Sequence, residues 1–305
     1  MSEEIAVDVQ AKELYKRALL AVNRRQEDVR HKGRFEVGDL FDISTGIVKN
    51  LKKSGQLNSY AIYYYDKNDI SISHAVNVAI FTVTLASGMK QSFDELIILA
   101  SIGLLHDVGI GKISQNLLNK DRSSILPGDK SLMETHPRLG QEAILESDPS
   151  MEKIATVAFH HHELMNGNGY PQHLSDGEID IHARMLSMVD TYESLIHPRD
   201  HRDALIPPKG ARELINQRGR SFDPYLLKML IEHISIYPIG CYVELNSGTV
   251  GKVIQTSKHN PVRPVVQLLY DLKGNTIKSQ LINLVENPLL SIRNCVPPPE
   301  WKQIV

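Results

Sequence analysis

Cysteine is nearly absent from this sequence. Cys241 and Cys295 are the only two in 305 residues, which rules out a disulfide framework and points to a reducing compartment. Net charge is nearly absent as well. Thirty-four Lys and Arg stand against 36 Asp and Glu, leaving -2, too little for the global basic field of a dedicated DNA-binding or membrane-surface protein. No DNA and no membrane partner is therefore expected. The longest hydrophobic runs, Val76–Ala86 and Leu96–Leu105, are shorter than a bilayer span and are broken by Ser, Thr or Asn. The opening MSEEIAVDVQ is acidic and has no apolar signal core, so a cytoplasmic location is expected. An apolar share of 42% with 23% charged residues suits a folded chain and not a disordered one. Tryptophan occurs once and histidine 13 times, and six of the histidines fall between residues 74 and 162.

The pattern predicts a mainly α protein with a small antiparallel β appendage at its C-terminal end. Residues 1–66 read as a helical segment: Ala6, Val9, Leu14, Ala18, Leu19 and Val22 recur at helical spacing, a polar stretch Arg24–Arg34 follows, and a second periodic segment covers Leu40–Leu57. Residues 67–236 form a second unit, with helices expected over Ile72–Met89, Phe93–Leu105, Lys130–Glu146, Met151–His162, His182–Ile196, Lys209–Arg218 and Pro224–Ile234. From 237 to 305 the texture changes. Cys241–Leu245, Thr249–Ile254 and Val265–Tyr270 are short β-type runs separated by turns such as Asn246-Ser-Gly and Lys273-Gly-Asn, and Val296–Trp301 reads as an extended tail. Residues 1–66 lack the alternating strands and helices of a receiver or sensor domain, so regulation is expected through that segment, the appendage or another chain.

Five pieces carry the chemistry: His74, the dyad His106-Asp107, His136, the triplet His160-His161-His162 with Glu163, and Asp190. Each sits on or at the end of a predicted helix. Adjacent helical residues point about 100° apart, so a neighbouring His and Asp can flank two different ions. A carboxylate can bridge two metals, whereas an imidazole supplies one nitrogen to one ion. Nitrogen and oxygen ligands without thiolate suit Fe, Mn or Zn. Two ions roughly 4 Å apart can activate a bridging hydroxide and stabilise a leaving oxygen in phosphodiester hydrolysis. Taken singly, each piece has a bland reading: an incidental pair, a polar helix end, a cap, a satisfied buried acid. Taken together they would bury several unpaired polar groups at a cost of several kcal/mol, which favours ligation. The remaining histidines at 31, 173, 182, 197, 201, 233 and 259 read as surface or local hydrogen-bonding residues.

The order of His74-Ala-Val-Asn, Leu104-Leu-His-Asp-Val-Gly, His136-Pro-Arg-Leu-Gly, His161-His-Glu-Leu-Met-Asn-Gly-Asn-Gly-Tyr-Pro171 and Ala183-Arg-Met-Leu-Ser-Met-Val-Asp190 resembles the HD-GYP subgroup of the HD phosphohydrolase superfamily, with Ser221-Phe-Asp-Pro224 fitting its closing helix. The resemblance implies an HD-type helical bundle around a binuclear metal centre, most often iron, with Mn or Zn as alternatives. It implies hydrolysis of cyclic di-GMP to pGpG or GMP. Carried over by position, the metal ligands would be His74, His106, Asp107, His136, His161, His162 and Asp190, with Asp107 bridging and His160 outside the set. Arg199 and Arg202 match positions that bind substrate phosphate, a role suited to the paired donors of a guanidinium. The loop Asn166–Pro171 would be the place for a protein partner.

Departures from the pattern touch substrate handling and spare the ligands. The lysine that usually follows the HD dyad is Ile110 here, and Lys112 is assigned as its catalytic substitute, which requires the backbone there to leave the regular helix. Ile70 replaces a tyrosine, or the glutamate that holds a third metal in some members, so two ions are expected. Asn166 replaces the aspartate of the signature loop. Beside the phosphodiesterase stand two other readings: a catalytically weak module that binds nucleotide or a protein, and a phosphohydrolase of another nucleotide.

Overall fold

The structure, a computed structural model, describes residues 2–65, 69–118, 120, 124–199, 203–216, 221–234, 236–257, 260–271 and 273–296, with the side chains of 2–8 left aside. Arg202, His201, His259 and the tail from Pro297 to Trp301 lie outside the described residues.

Helix α1 (Ser2–Lys32) runs unbroken through the polar stretch in which the sequence suggested an end. The reason is burial: Ala18, Ala21, Val22, Arg25, Gln26 and Val29 form one inward stripe. Arg25 is 2% exposed and donates to the carbonyls of Ala21 and Val37 and to Asp39. Helices α2 (Leu40–Lys53) and α3 (Leu57–Tyr63) complete the N-terminal part.

At the centre lie α4 (Ile70–Gly88) and α5 (Phe93–Leu105), apolar around most of their circumference. The Asp69 carboxylate accepts from Ser71 N at 3.1 Å to start α4, and Ser92 Oγ accepts from Glu95 N at 3.2 Å to start α5. At 19 residues, α4 exceeds the apolar run visible in the sequence and is long and apolar enough to cross a bilayer; 78% of its apolar window is buried inside the fold, which makes it a core helix.

A short 3-10 segment, Val108–Lys112, follows the dyad. Next come α6 (Gln115–Leu118), α7 (Pro127–Met133), α8 (His136–Ser147) and α9 (Glu152–Phe159). The single helix expected over Lys130–Glu146 is thus two, because Pro137 suits a helix start and disfavours the preceding helical turn. The helix expected to run to His162 stops at Phe159, and the triplet turns away from it. After α10 (Ile181–Ile196) come α11 (Pro207–Asn216) and α12 (Pro224–His233), the last capped by the Asp223 carboxylate.

The C-terminal sheet is antiparallel and has five strands, two more than the sequence suggested: β1 (Tyr242–Leu245), β2 (Val250–Gln255), β3 (Val265–Tyr270), β4 (Thr276–Asn283) and β5 (Ile292–Val296), in the order β4-β3-β2-β1-β5. The missed pair is polar. Edge strand β4 is mostly exposed and carries no clean alternation. The sheet docks on α3 through Tyr63, whose hydroxyl accepts from Tyr242 N at 2.6 Å and donates to Val296 O at 3.2 Å.

Candidate metal centre

Seven side chains from five places in the chain converge. His74 comes from the second turn of α4, His106 and Asp107 from the end of α5, His136 from the first turn of α8, His161 and His162 from just past α9, and Asp190 from α10. Around Asp107 the distances are 3.1 Å to His136 Nε2, 3.5 Å to His161 Nε2, 3.5 Å to His106 Nε2 and 3.9 Å to His74 Nε2. Asp190 lies 2.8 Å from His74 Nε2 and 3.7 Å from His162 Nδ1. Two groups result, each with its donor atoms within 4.8 Å of one another: Asp107 with His136, His161 and His162, and His74 with His106 and Asp190.

Local structure aims these rings. His106 Nδ1 donates to Gly103 O at 2.7 Å, His136 Nδ1 to Met133 O at 2.8 Å, and His161 Nδ1 to Ala158 O at 2.6 Å. In every case the acceptor lies three residues back, in a last turn whose carbonyls have no helical partner. Each Nδ1 proton is thereby placed outward, and each Nε2 lone pair faces Asp107. That is what these three helix-end positions offer a ring.

His106 Nε2 provides the test of fit. It is buried and has no hydrogen-bond partner, and its nearest charged neighbour is the Asp107 carboxylate, itself an acceptor. Buried acceptors turned toward one another are an arrangement that a cation satisfies. Imidazole nitrogen and carboxylate oxygen without sulfur fit a divalent transition metal. Titration agrees. Burial pushes His106 down to about 4, and burial together with His161 and His136 pushes His162 well below the usual imidazole range, so both are neutral and able to ligate. Asp107 and Asp190 stay ionised despite burial because the surrounding histidines hold both below the usual carboxylate range. For His74, burial opposes charging, but Glu193 and Asp190 outweigh it and raise the ring to about 10.

A cavity of about 320 Å³ opens over the cluster. On one side it is lined by Ile110, Ile113, Leu118 and Met133, and on the other by Ser71, Ser194, Tyr170 and Arg199. Tyr170 packs on His162 with ring centroids 4.6 Å apart, and its backbone N–H donates to His162 O at 3.2 Å. Gly169 is required here: a Cβ on it would lie 2.4 Å from Leu164 N and 2.5 Å from Glu163 Cα. The buried Glu163 carboxylate pins the far side of the same loop, accepting from Gln172 N at 2.6 Å and Leu174 N at 3.0 Å.

A family described as the HD domain matches residues 66–226, more than half of the chain. The chain belongs to the HD domain family. A second match, a KOW domain associated with the HD domain, covers 242–304. Among curated proteins, the HD chain is 27% identical over 219 residues to a cyclic di-GMP phosphodiesterase of Pseudomonas aeruginosa, covering 71% of this chain and 52% of that one. It is 27% identical over 198 residues to cyclic di-GMP phosphodiesterase PdeB of Borreliella burgdorferi, covering 65% and 52%. It is 31% identical over 164 residues to a 3'3'-cGAMP-specific phosphodiesterase of Vibrio cholerae, covering 53% and 31%. The chain spans about half the length of the first two relatives. Among solved structures, an HDG"Y"P protein from Bdellovibrio bacteriovorus shares the fold, with a TM-score of 0.60 at 20% identity over 73% of this chain and 71% of that one. With this low identity, the chain is a divergent member of the HD domain family.

Some expectations for the HD site need correction. Lys112 does sit in an irregular segment, the last residue of the 3-10 turn, yet it points away: it is exposed, and its Nζ lies 3.2 Å from where a Cβ on Gly33 would sit, beside Glu146. Ile110, not a lysine, faces the cavity. Of the two readings for His197, the structure bears out the local hydrogen bond, not the surface position. His197 is 2% exposed, and its Nδ1 lies 3.0 Å from Glu193. Glu193 itself went unremarked in the sequence, although its place one turn after Asp190 on the same helix face was a readable signal. Arg199 lines the cavity as expected, and Arg202 falls outside the described residues. Asn166 is exposed at the loop's outer edge, where its side-chain oxygen accepts from Asn168 N at 3.1 Å, as an aspartate would.

Proposed function

We propose that this chain is a metal-dependent phosphodiesterase that hydrolyses cyclic di-GMP to pGpG or GMP, acting in the cytoplasm. Asp107, His136, His161 and His162 would hold one divalent cation and His74, His106 and Asp190 a second, with Asp107 between them and iron as the first choice of metal. Bound there, the cations would supply Lewis acidity and an activated water. The chain's own groups do the rest. Arg199 offers paired donors to a phosphate oxygen, Tyr170 closes the cavity over His162 and excludes water, and the apolar wall Ile110–Met133 takes a nucleobase. Residues 67–236 would be the catalytic unit, with 1–66 and 237–305 as its flanking units. The Asn166–Pro171 loop, exposed at Asn166 and Asn168, is the surface offered to a protein partner.

The observation that carries this reading is the buried set of imidazoles whose Nε2 atoms face a single ionised carboxylate. One feature favours the second reading, a slow enzyme or a nucleotide-binding module: Arg199 is the only arginine, and there is no lysine, among the described cavity-lining residues. The test is turnover of cyclic di-GMP by protein prepared anaerobically and loaded with Fe(II) or Mn(II), with products resolved chromatographically and metal quantified on the same sample. Linear product that disappears in Asp107→Ala supports the enzyme. Two bound ions and tight nucleotide binding without product would replace it with the binding module.

A further inference from the structure

Glu193 stands outside the expected ligand set, yet it is 1% exposed and joined to four polar side chains. Its Oε2 is hydrogen-bonded to His74 Nδ1 and lies 3.4 Å from Arg199 Nη2. Its Oε1 accepts from Asn77 Nδ2 at 3.0 Å and faces His197 Nδ1 at 3.0 Å. Asn77 is held in turn: its side-chain oxygen accepts from the Tyr15 hydroxyl at 2.6 Å, and its nitrogen also donates to Tyr64 O at 3.0 Å. An amide with its oxygen so engaged can present only N–H to Glu193.

His74 differs from its neighbours in the cluster. His106, His136 and His161 sit at helix or turn ends and use free backbone carbonyls to fix their Nδ1 protons. His74 lies inside α4, where the carbonyl one turn back is already taken by the helix's own ladder. Its Nδ1 is paired instead with a side-chain acceptor from another helix, the Glu193 carboxylate.

We propose that Glu193 is a positioning residue: its buried carboxylate fixes the ring of His74, with Nε2 turned toward Asp107 and Asp190, and so makes a histidine inside a helix a competent metal ligand. This inference rests on the reading of the cluster as a metal centre. The same carboxylate holds Arg199 at the edge of the cavity, so the residue offered to the phosphate and the residue offered to the metal share one anchor.

The experiment is a double-mutant cycle read by Mn(II) affinity and stoichiometry, measured calorimetrically and by elemental analysis on the full chain, with circular dichroism on every variant. Glu193→Gln is expected to weaken Mn(II) binding by about 10–100-fold in the wild-type background. In the His74→Ala background it is expected to cost nothing more, because its target is gone. Glu193→Asp, which keeps the charge, is expected to retain more affinity than the glutamine variant, and it carries the same cycle if Glu193→Gln does not fold. An equal loss in both backgrounds, or no loss in either, overturns the positioning role while leaving the metal centre standing. Wild-type protein that binds neither Mn(II) nor Fe(II) overturns the metal reading and this inference with it.

Discussion

The helical part and the C-terminal sheet are built to opposite rules. In the helices the core is interrupted by buried polar side chains, among them His74, Asn77, His106, Asp107, His136, His161, Glu163, Glu193 and His197. In the sheet the described buried side chains are Cys241, Tyr242, Val243, Leu245, Val253, Val266, Leu268 and Leu284, with no charged group or histidine. Burying polar groups is costly unless each finds a partner, and an apolar core of the same volume is at least as stable. A core that keeps so many therefore points to chemistry there, whereas the sheet's core does only what holds a sheet together. The comparison teaches where function lies before any name is attached.

The comparison can be broken or sharpened by substitution. The largest effect is expected from Asp107→Ala, which removes the carboxylate that four imidazoles face; turnover should fall at least about a thousandfold, roughly 4 kcal/mol of barrier, with loss of bound metal. Metal analysis and product chromatography on the same sample check it, and full retention of two ions would remove Asp107 from the centre. Leu245→Ala in β1, fully buried, should cost about 2–4 kcal/mol in stability. Its metal content should stay unchanged, as read by thermal unfolding beside elemental analysis. If metal is lost as well, the two parts are not independent.

Arg199→Ala should weaken nucleotide binding by roughly 10–100-fold, about 1.5–3 kcal/mol for a hydrogen bond to a charged group, with metal retained. Calorimetric titration with a non-hydrolysed cyclic dinucleotide decides it, and unchanged affinity would leave Arg199 as a structural partner of Glu193. Asn166→Ala is expected to matter least, at under about 1 kcal/mol in stability, because it loses one exposed turn hydrogen bond. A large loss of turnover there would move the loop from scaffold to site.

Much of the helical part is legible in the chain. The apolar runs that become α4 and α5 are plain, and the histidines that end or interrupt helices mark the site. What stayed hidden had weak local signals. Arg24–Lys32 looks polar because its buried stripe includes Arg25, which reaches Val37 and Asp39 as well as Ala21 of its own helix, and Gln26, which accepts from Ser71. Strands β4 and β5 lack alternation because one is mostly exposed on both faces and the other half-exposed. Lys112 seemed a fair substitute for a missing lysine because spacing cannot tell which way a side chain leaves a 3-10 turn.

By itself the sequence determined the inventory of candidate ligands: seven His and Asp positions, free of thiolate, on or at the ends of helices, in an order that resembles one family. Residue types and helical periodicity are local properties, and they survive in a linear text. The tertiary structure alone decided how the rings are aimed, that Glu193 of α10 reaches across to His74 of α4, and that Ile110 rather than Lys112 faces the cavity. Those facts depend on contacts between residues more than a hundred positions apart and on the direction of single side chains, which only the packed core fixes.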